Sequence, residues 1–303
     1  MIPQTPHRFR RAARVGAGLA LATVALAGCT AEQRRGFLPG DSDQEATNHT
    51  GMIMHMWTGS WIALVLVGLL VWGLAIWCAV AYRRRKGDTG FPVQLRYHVP
   101  LELIFTLVPV VMIMSLFYFT QRDVAETESI SANPDVTVNV VGKQWSWDFN
   151  YVDADVHEDA GVQSFETGVP GAAESLPVLY LPVDQNVRIT LDSRDVIHSF
   201  WVPDFLYKKD MIPGQTLTFE VTPTREGTYA GKCAELCGEY HSDMLFNVEV
   251  VSQEEFDAHM QELRDRGNTG QLSNDLNRNP EDWQMRDKVD DATQKREQDA
   301  RNN

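Results

Sequence analysis

The residues most able to do chemistry lie in one short loop that runs from Cys233 to Met244. The loop offers two thiols, an imidazole and a thioether, from Cys233, Cys237, His241 and Met244. A further imidazole, His198, occurs upstream in the chain. Thiolate, thioether and imidazole are ligands that copper prefers in proteins. The combination predicts a copper site that brings two separate segments together.

The number of thiols indicates more than one copper ion. A single blue-copper ion needs one thiolate, two imidazoles and a weak axial ligand, and this loop contains a second thiolate. Two thiolates allow two ions to share both sulfurs, with one imidazole and one weaker ligand on each ion. Met244 can supply one weak ligand, and the backbone carbonyl of Glu235, between the cysteines, can supply the other.

Two other interpretations of the cysteine pair remain open. In an oxidising compartment, cysteines this close could form a disulfide. Zinc also binds two cysteines and two histidines, although Met244 is a poor zinc ligand and the spacing differs from that of a zinc finger. The loop by itself favours copper over both.

The spacing of these positions resembles the binuclear copper A site of cytochrome c oxidase subunit II. The resemblance covers about residues 55–253 and implies six ligands, five through side chains and one through a carbonyl: His198, Cys233, Cys237, His241, Met244 and the carbonyl of Glu235. It further implies that the Glu235 carboxylate helps to hold a magnesium or manganese ion at the boundary with the catalytic subunit.

The family's function follows from the same resemblance. It implies that the chain accepts electrons from a cytochrome c at the outer face of the membrane. It also implies that the electrons pass to haem in catalytic subunit I, where oxygen is reduced to water and protons are pumped. Other oxidase subunits would be further partners, and no oxygen chemistry is expected on this chain.

Composition limits the partners of the protein. The 303 residues carry a formal net charge of -14. Such a surface argues against nucleic acid and favours a basic partner. The four cysteines, at 29, 78, 233 and 237, have different local settings and therefore do not indicate a disulfide framework.

The N-terminal segment, residues 1–28, is predicted to be a cleaved signal peptide, because arginines precede a short apolar run. The run ends in Leu-Ala-Gly followed by Cys29, which resembles a bacterial lipoprotein processing site. This implies a lipid on the sulfur of Cys29 and a lipidated extracytoplasmic linker over 29–55. An ordinary signal or a retained anchor is the alternative.

Residues 56–120 are predicted to form a transmembrane helical hairpin. Two apolar stretches, at 61–82 and 99–119, are each long enough to cross a hydrocarbon core of about 30 Å. Basic residues at 83–86 follow the first stretch and mark the cytoplasmic side. The prediction is a multi-pass protein of the bacterial plasma membrane, with both mature termini and the copper domain on the extracytoplasmic face.

Glu102 lies near the cytoplasmic end of the second stretch. An ionisable group beside hydrocarbon is costly unless it is functional or its side chain reaches the interface. The surrounding segment resembles the family's second helix, in which the matching glutamate lies at the mouth of a proton-uptake path. The resemblance implies that role for Glu102, and simple snorkelling is the alternative.

From residue 135 the pattern changes to short β-rich runs separated by turn residues, which predicts an antiparallel sandwich. The expected strands are 136–141, 178–181, 187–191, 217–221, 227–230 and 245–251. The family has a cupredoxin-like Greek-key sandwich here. The predicted fold is therefore a two-helix transmembrane hairpin followed by an all-β cupredoxin-like Greek-key sandwich over 121–253.

Aromatic residues are concentrated in the segment 144–151. They are Trp145, Trp147, Phe149 and Tyr151. Strand alternation places some of them in the core, but four are not expected to be buried on one face. Trp145 matches the tryptophan regarded in the family as the point where electrons arrive, which implies an indole at the surface above the metal.

Two polar regions complete the chain. The acidic segment 152–175 is predicted to be a long surface loop. It is either a solvated insertion or a contact for cytochrome c or for a cytochrome c domain of a neighbouring respiratory complex. Residues 254–303 form a polar C-terminal tail, in which 253–266 has helical spacing of Phe256, Met260 and Leu263. The remainder has too little apolar content to fold alone.

Three other functions are alternatives to this prediction. A quinol oxidase subunit II lacks the copper ligands, and the full ligand set argues against it. A nitrous oxide reductase needs a large propeller, for which 303 residues leave no room. A scaffolding lipoprotein, with Cys233 and Cys237 as a disulfide, is the remaining alternative, which metal analysis can separate.

Overall fold

The computed structural model describes residues 45–84, 96–159 and 176–276, together with 87, 90, 91 and 94. The predicted signal peptide and Cys29 lie outside the described residues, as do 160–175 of the acidic segment. Among the described residues, two long helices, α1 (Thr50–Ala81) and α2 (Val99–Thr127), come first. Within the same ranges, ten strands and a third helix, α3 (Gln253–Asp265), follow them.

The strands are short, with four to eight residues each. They are β1 (Val136–Lys143), β2 (Ser146–Tyr151), β3 (Val156–Asp159), β4 (Val178–Pro182), β5 (Val187–Ser193), β6 (His198–Val202), β7 (Tyr207–Met211), β8 (Leu217–Val221), β9 (Gly227–Cys233) and β10 (Leu245–Val251). All six expected strands are present. Strands β2, β3, β6 and β7 were not predicted, and β3 lies within the segment that was expected to be a loop.

Helices α1 and α2 have the length and composition of membrane spans, and the rest of the described chain does not bury their apolar parts. They contain 32 and 29 residues, which corresponds to about 48 and 44 Å at the usual rise per residue. Both exceed a hydrocarbon core of about 30 Å. Helix α1 begins before residue 56 and α2 ends after residue 120, so both extend past the predicted limits of the hairpin.

The start of α1 and the end of α2 both meet the sandwich. Thr47 pairs with Pro223, and the Asn48 N–H donates to the carbonyl of Thr222 at 3.0 Å. After α2, the side chain of Glu128 accepts hydrogen bonds from Tyr207 and Lys209, each at 2.5 Å. The hairpin is thus joined to the sandwich at both of its ends.

The β region is a sandwich of two five-stranded sheets. The first has the order β3-β2-β1-β5-β8 and the second the order β4-β10-β9-β6-β7. This confirms the predicted sandwich. Two pairs, β1 with β5 and β4 with β10, are parallel, so the sheets are mixed and not wholly antiparallel. Long connections within each pair make the parallel arrangement available, since only antiparallel neighbours can be joined by a tight hairpin.

Aromatic rings fill the space between the sheets. Trp147, Phe149 and Tyr151 alternate along β2 and are almost completely buried. Trp147 and Phe149 pack on Phe246, at ring-centroid distances of 4.9 and 5.9 Å. Trp145, in the turn before β2, is 9% exposed. The four aromatics therefore do not share one strand face, as expected, because Trp145 lies outside the strand and is covered separately.

Residues 253–276 of the C-terminal region are more ordered than the sequence suggested. A capping box of Ser252 and Glu255 starts α3, and its predicted apolar face of Phe256, Met260 and Leu263 is buried. Beyond α3, the chain crosses the outer face of the first sheet. There Asn150 exchanges hydrogen bonds with the backbone of residue 272. The chain thus packs on the sandwich as far as residue 276, past the expected boundary at 253. The segment after α3 is held there by hydrogen bonds such as those of Asn150.

Leu263→Ala tests whether α3 belongs to the folded unit. Leu263 is fully buried, and removal of such a side chain costs about 2–5 kcal/mol. We expect a lower thermal unfolding temperature for the full chain in detergent, followed by near-ultraviolet circular dichroism. The exposed neighbour Gln261→Ala is the control and should unfold like the wild type. Equal unfolding of Leu263→Ala would mean that α3 is not part of the core.

Candidate metal site

Two neighbouring strands of the second sheet carry predicted ligands of the site. His198 begins β6, Cys233 ends β9, and these strands pair side by side with Phe200 opposite Cys233. The loop that follows Cys233 returns to start β10. The Cys233 N–H donates to the carbonyl of Met244 at 2.9 Å and closes the base of that loop. Residues from two strands and one loop therefore meet at one end of the sandwich.

The two thiols lie between two imidazoles. The Sγ atoms of Cys233 and Cys237 are 3.8 Å apart, and both cysteines are free. This distance is far above the roughly 2.05 Å of a disulfide bond. His198 Nδ1 is 3.8 Å from the Cys233 sulfur, and His241 Nδ1 is 3.6 Å from the Cys237 sulfur. Each sulfur thus has its own imidazole.

Each sulfur also has one weaker potential metal ligand beside it. The Cys233 sulfur lies 3.3 Å from the carbonyl oxygen of Glu235. The thioether sulfur of Met244 is 3.9 Å from the Cys237 sulfur, and Met244 is fully buried. The side chain of Glu235 remains partly exposed. The site is therefore nearly symmetric about the pair of sulfurs.

Contact between the two thiols changes their acidity in opposite directions. The neighbouring Cys237 thiol lowers the pKa of Cys233, while Cys233 and burial raise the pKa of Cys237. Metal ligands must be deprotonated, and the lowered pKa of Cys233 favours the form that a metal would bind.

An aspartate orients the buried imidazole. His198 is fully buried, and its Nε2 lies 2.8 Å from Oδ1 of Asp195. Burial lowers the pKa of His198, but the hydrogen bonds with Asp195 and Cys233 raise it overall. A neutral imidazole that donates Nε2–H to Asp195 presents the lone pair of Nδ1 to the thiols. Such a partner fixes both tautomer and ring orientation in metal sites.

Trp145 lies at the edge of this site, but it is not the exposed indole that was expected. Its ring packs edge-on against Tyr240, with centroids 5.0 Å apart. Its Nε1 is buried and has no hydrogen-bond partner among the residues that the structure describes. Trp145 does lie next to the loop from Cys233 to Met244, as predicted. The predicted surface position is wrong, because the loop after Cys237 covers the indole.

Glu102 lies on a different element, in the first turn of α2. Its carboxylate accepts a hydrogen bond from the backbone N–H of His98 at 3.0 Å. A carboxylate is favourable at a helix N-terminus, where backbone N–H groups are free. This contact gives Glu102 a local structural role at the start of α2.

The structure brings together all six predicted ligands and adds two residues that were not predicted. Ligand atoms of His198, Cys233 and Cys237 all lie within 4.8 Å of one another, and His241 lies beside this group. The missed residues are Asp195 and Gln144, which contact the ligand segments without being ligands. Asp195 was recognisable only by its position three residues before His198.

Fold and site together define a class, which is a β-sandwich with a candidate metal site that follows two helices of membrane-spanning length. The family described as "Cytochrome C oxidase subunit II, periplasmic domain" matches residues 136–251. The chain is 44% identical to the probable cytochrome c oxidase subunit 2 of Streptomyces coelicolor, over 88% of this chain and 91% of that protein. The corresponding protein of Streptomyces avermitilis is 42% identical over the same shares. This chain belongs to the cytochrome c oxidase subunit II family.

Among solved structures, the chain is similar to the periplasmic domain of subunit II of cytochrome oxidase from Bradyrhizobium japonicum. The two are 28% identical, and the match covers 45% of this chain and 99% of that domain, with a TM-score of 0.40.

Proposed function

We propose that this chain receives electrons for a cytochrome c oxidase through a binuclear copper A centre. The observation that carries the proposal is the pairing of each thiol with one imidazole and one weaker donor. This set of soft and borderline donors fits copper better than zinc, since zinc has little use for a thioether. Family membership supports the same conclusion.

The residues that would hold the copper follow from their neighbours. Cys233 and Cys237 would be shared, His198 and the carbonyl of Glu235 would serve one side, and His241 and Met244 the other. Bound copper supplies a carrier for one electron at a time. The chain itself supplies a rigid arrangement of ligands. They lie at strand ends and in a loop whose base is closed by the hydrogen bond from Cys233 N–H to the carbonyl of Met244. Ligands held by a rigid scaffold keep their geometry when the charge of the site changes.

The partners follow from family and charge. Cytochrome c, or a cytochrome c domain of a neighbouring complex, would deliver electrons, and haem in catalytic subunit I would receive them. Oxygen reduction and proton pumping would occur in that partner. The net charge of -14 suits a basic donor, and the acidic segment 152–175 is a candidate contact. The partly exposed Glu235 carboxylate would hold magnesium or manganese together with the catalytic subunit.

The proposed location is the plasma membrane, with the sandwich on the extracytoplasmic face. Basic residues at 83–86 lie between the helices, which favours the cytoplasm for that loop. The start of α1 and the end of α2 both contact the sandwich. This is required if the two helix ends and the sandwich lie on the same side of the membrane. A lipid on Cys29 would then anchor the segment before α1 to the same face.

Copper analysis of the full chain in detergent tests the central claim. After reconstitution we expect two coppers per chain and an EPR hyperfine pattern from one electron shared equally by two nuclei. Cys237→Ser removes a bridging thiolate and should abolish that pattern. Cys78→Ser changes the exposed cysteine of α1 and should preserve it. A folded wild-type chain that binds no copper would instead support the scaffolding function.

Trp145→Phe tests the proposed path of electrons into the site. Trp145 packs against the metal loop through Tyr240, so a smaller ring should slow electron transfer from cytochrome c and leave the copper spectrum intact. Stopped-flow reduction of the assembled oxidase measures the rate. Trp57→Phe, at an exposed position of α1, is the control. A wild-type rate in Trp145→Phe would exclude this role.

Glu102→Gln tests the proposed proton-uptake role in the assembled oxidase. The amide cannot carry a proton in the way a carboxylate does, so turnover and proton uptake should both fall. Proton uptake is followed with a pH indicator during single turnovers. Glu126→Gln, near the opposite end of α2, is the matched control. Unchanged uptake in Glu102→Gln would leave Glu102 only its contact with the helix N-terminus.

A further inference from the structure

We propose that Gln144 is a positioning residue that joins the two ligand-bearing segments of the metal site. The proposal rests on the proposed function, since it concerns how this chain prepares a copper site. Gln144 is not one of the predicted ligands. It acts through Asp195 on one side and through the backbone of Cys237 on the other.

Gln144 occupies the tip of the turn between β1 and β2. Lys143 and Ser146 pair at the base of this turn, so Gln144 and Trp145 alone form its tip. The turn belongs to the first sheet, whereas His198 and Cys233 belong to strands of the second. Contacts from this turn therefore tie the site to the opposite layer of the sandwich.

Two short hydrogen bonds from Gln144 reach both ligand segments. Its backbone N–H donates to Oδ2 of Asp195 at 2.7 Å, and the other oxygen of Asp195 bonds Nε2 of His198. Its side-chain Nε2 donates to the carbonyl of Cys237 at 2.6 Å. A carbonyl oxygen can only accept, which assigns the donor end of the amide to this contact. One residue thus links the His198 segment with the Cys237 loop.

The backbone of the metal loop lies directly against this turn. Gly238 has a φ of +130°, and a Cβ there would lie 2.9 Å from Cζ2 of Trp145 and 3.1 Å from Nε2 of Gln144. On the other side, a Cβ at Gly142 would lie 3.1 Å from Cδ2 of His198. The turn therefore fits between the two ligand segments without room for a larger residue at either glycine.

The Cys237 loop needs such support because it has no neighbouring strand. Residues 235–240 lie between β9 and the short helical turn His241–Asp243. Metal sites tolerate displacements of about 0.5 Å in their ligands. A hydrogen bond to the carbonyl of Cys237 holds the backbone that carries the bridging sulfur. Loss of this bond should loosen the site and leave the sandwich intact.

The test compares copper binding by full-length variants in detergent. Gln144→Met keeps the length of the side chain and the backbone N–H to Asp195, but removes the donor to Cys237. We expect copper affinity to fall by about 10- to 100-fold in competition with a chelator, together with an altered EPR hyperfine pattern. The metal-free variant should unfold at the wild-type temperature. Gln144→Glu, which places an acceptor against the carbonyl, should weaken copper binding further.

Gln215→Met is the matched control, since Gln215 is exposed in the turn before β8. Wild-type affinity and spectrum in both Gln144 variants would overturn the inference while the copper site itself stood. A metal-free Gln144→Met that unfolds at a lower temperature would overturn it in favour of a general role in folding. A wild-type chain that holds no copper would overturn the proposed function, and this inference with it.

Discussion

The pairing of β6 with β9 is the constraint on which the site depends. Phe200 lies opposite Cys233, and the Ala234 N–H continues the contact to the carbonyl of Ser199 at 3.0 Å. This register places His198 next to the Cys233 thiol. Because side chains alternate along a strand, a slip of one residue would turn His198 to the other face. The thiols and imidazoles can meet only while this register is kept.

A second set of contacts joins the sandwich to the membrane helices. Glu220 of β8 accepts hydrogen bonds from Ser131, Asn186 and Arg188. Burial raises the pKa of Glu220, but these hydrogen bonds outweigh it and lower the pKa to about 2. The carboxylate therefore stays charged and holds the chain that follows α2 on the sheet. In this way the domain that carries the site has a defined attachment to its anchor.

Local sequence patterns predicted the helices, six strands and the apolar face of α3, because each has its own periodicity. They did not predict β6, whose residues from His198 to Val202 are nearly all buried and therefore lack alternation. They also failed for β7, which is rich in charged residues, and for the segment after α3. That segment is held by side chains of the first sheet, such as Asn150, and not by its own apolar residues.

The sequence by itself determined the kinds of ligand and the family, because six donor positions at this spacing carry chemistry that few other sites need. Only the tertiary structure decided which imidazole lies beside which thiol. It also decided that Asp195 and Gln144 support the site. Gln144 is separated by 51 residues from Asp195 and by 93 from Cys237. Contacts over such distances arise from the packing of two sheets, and no local pattern records them.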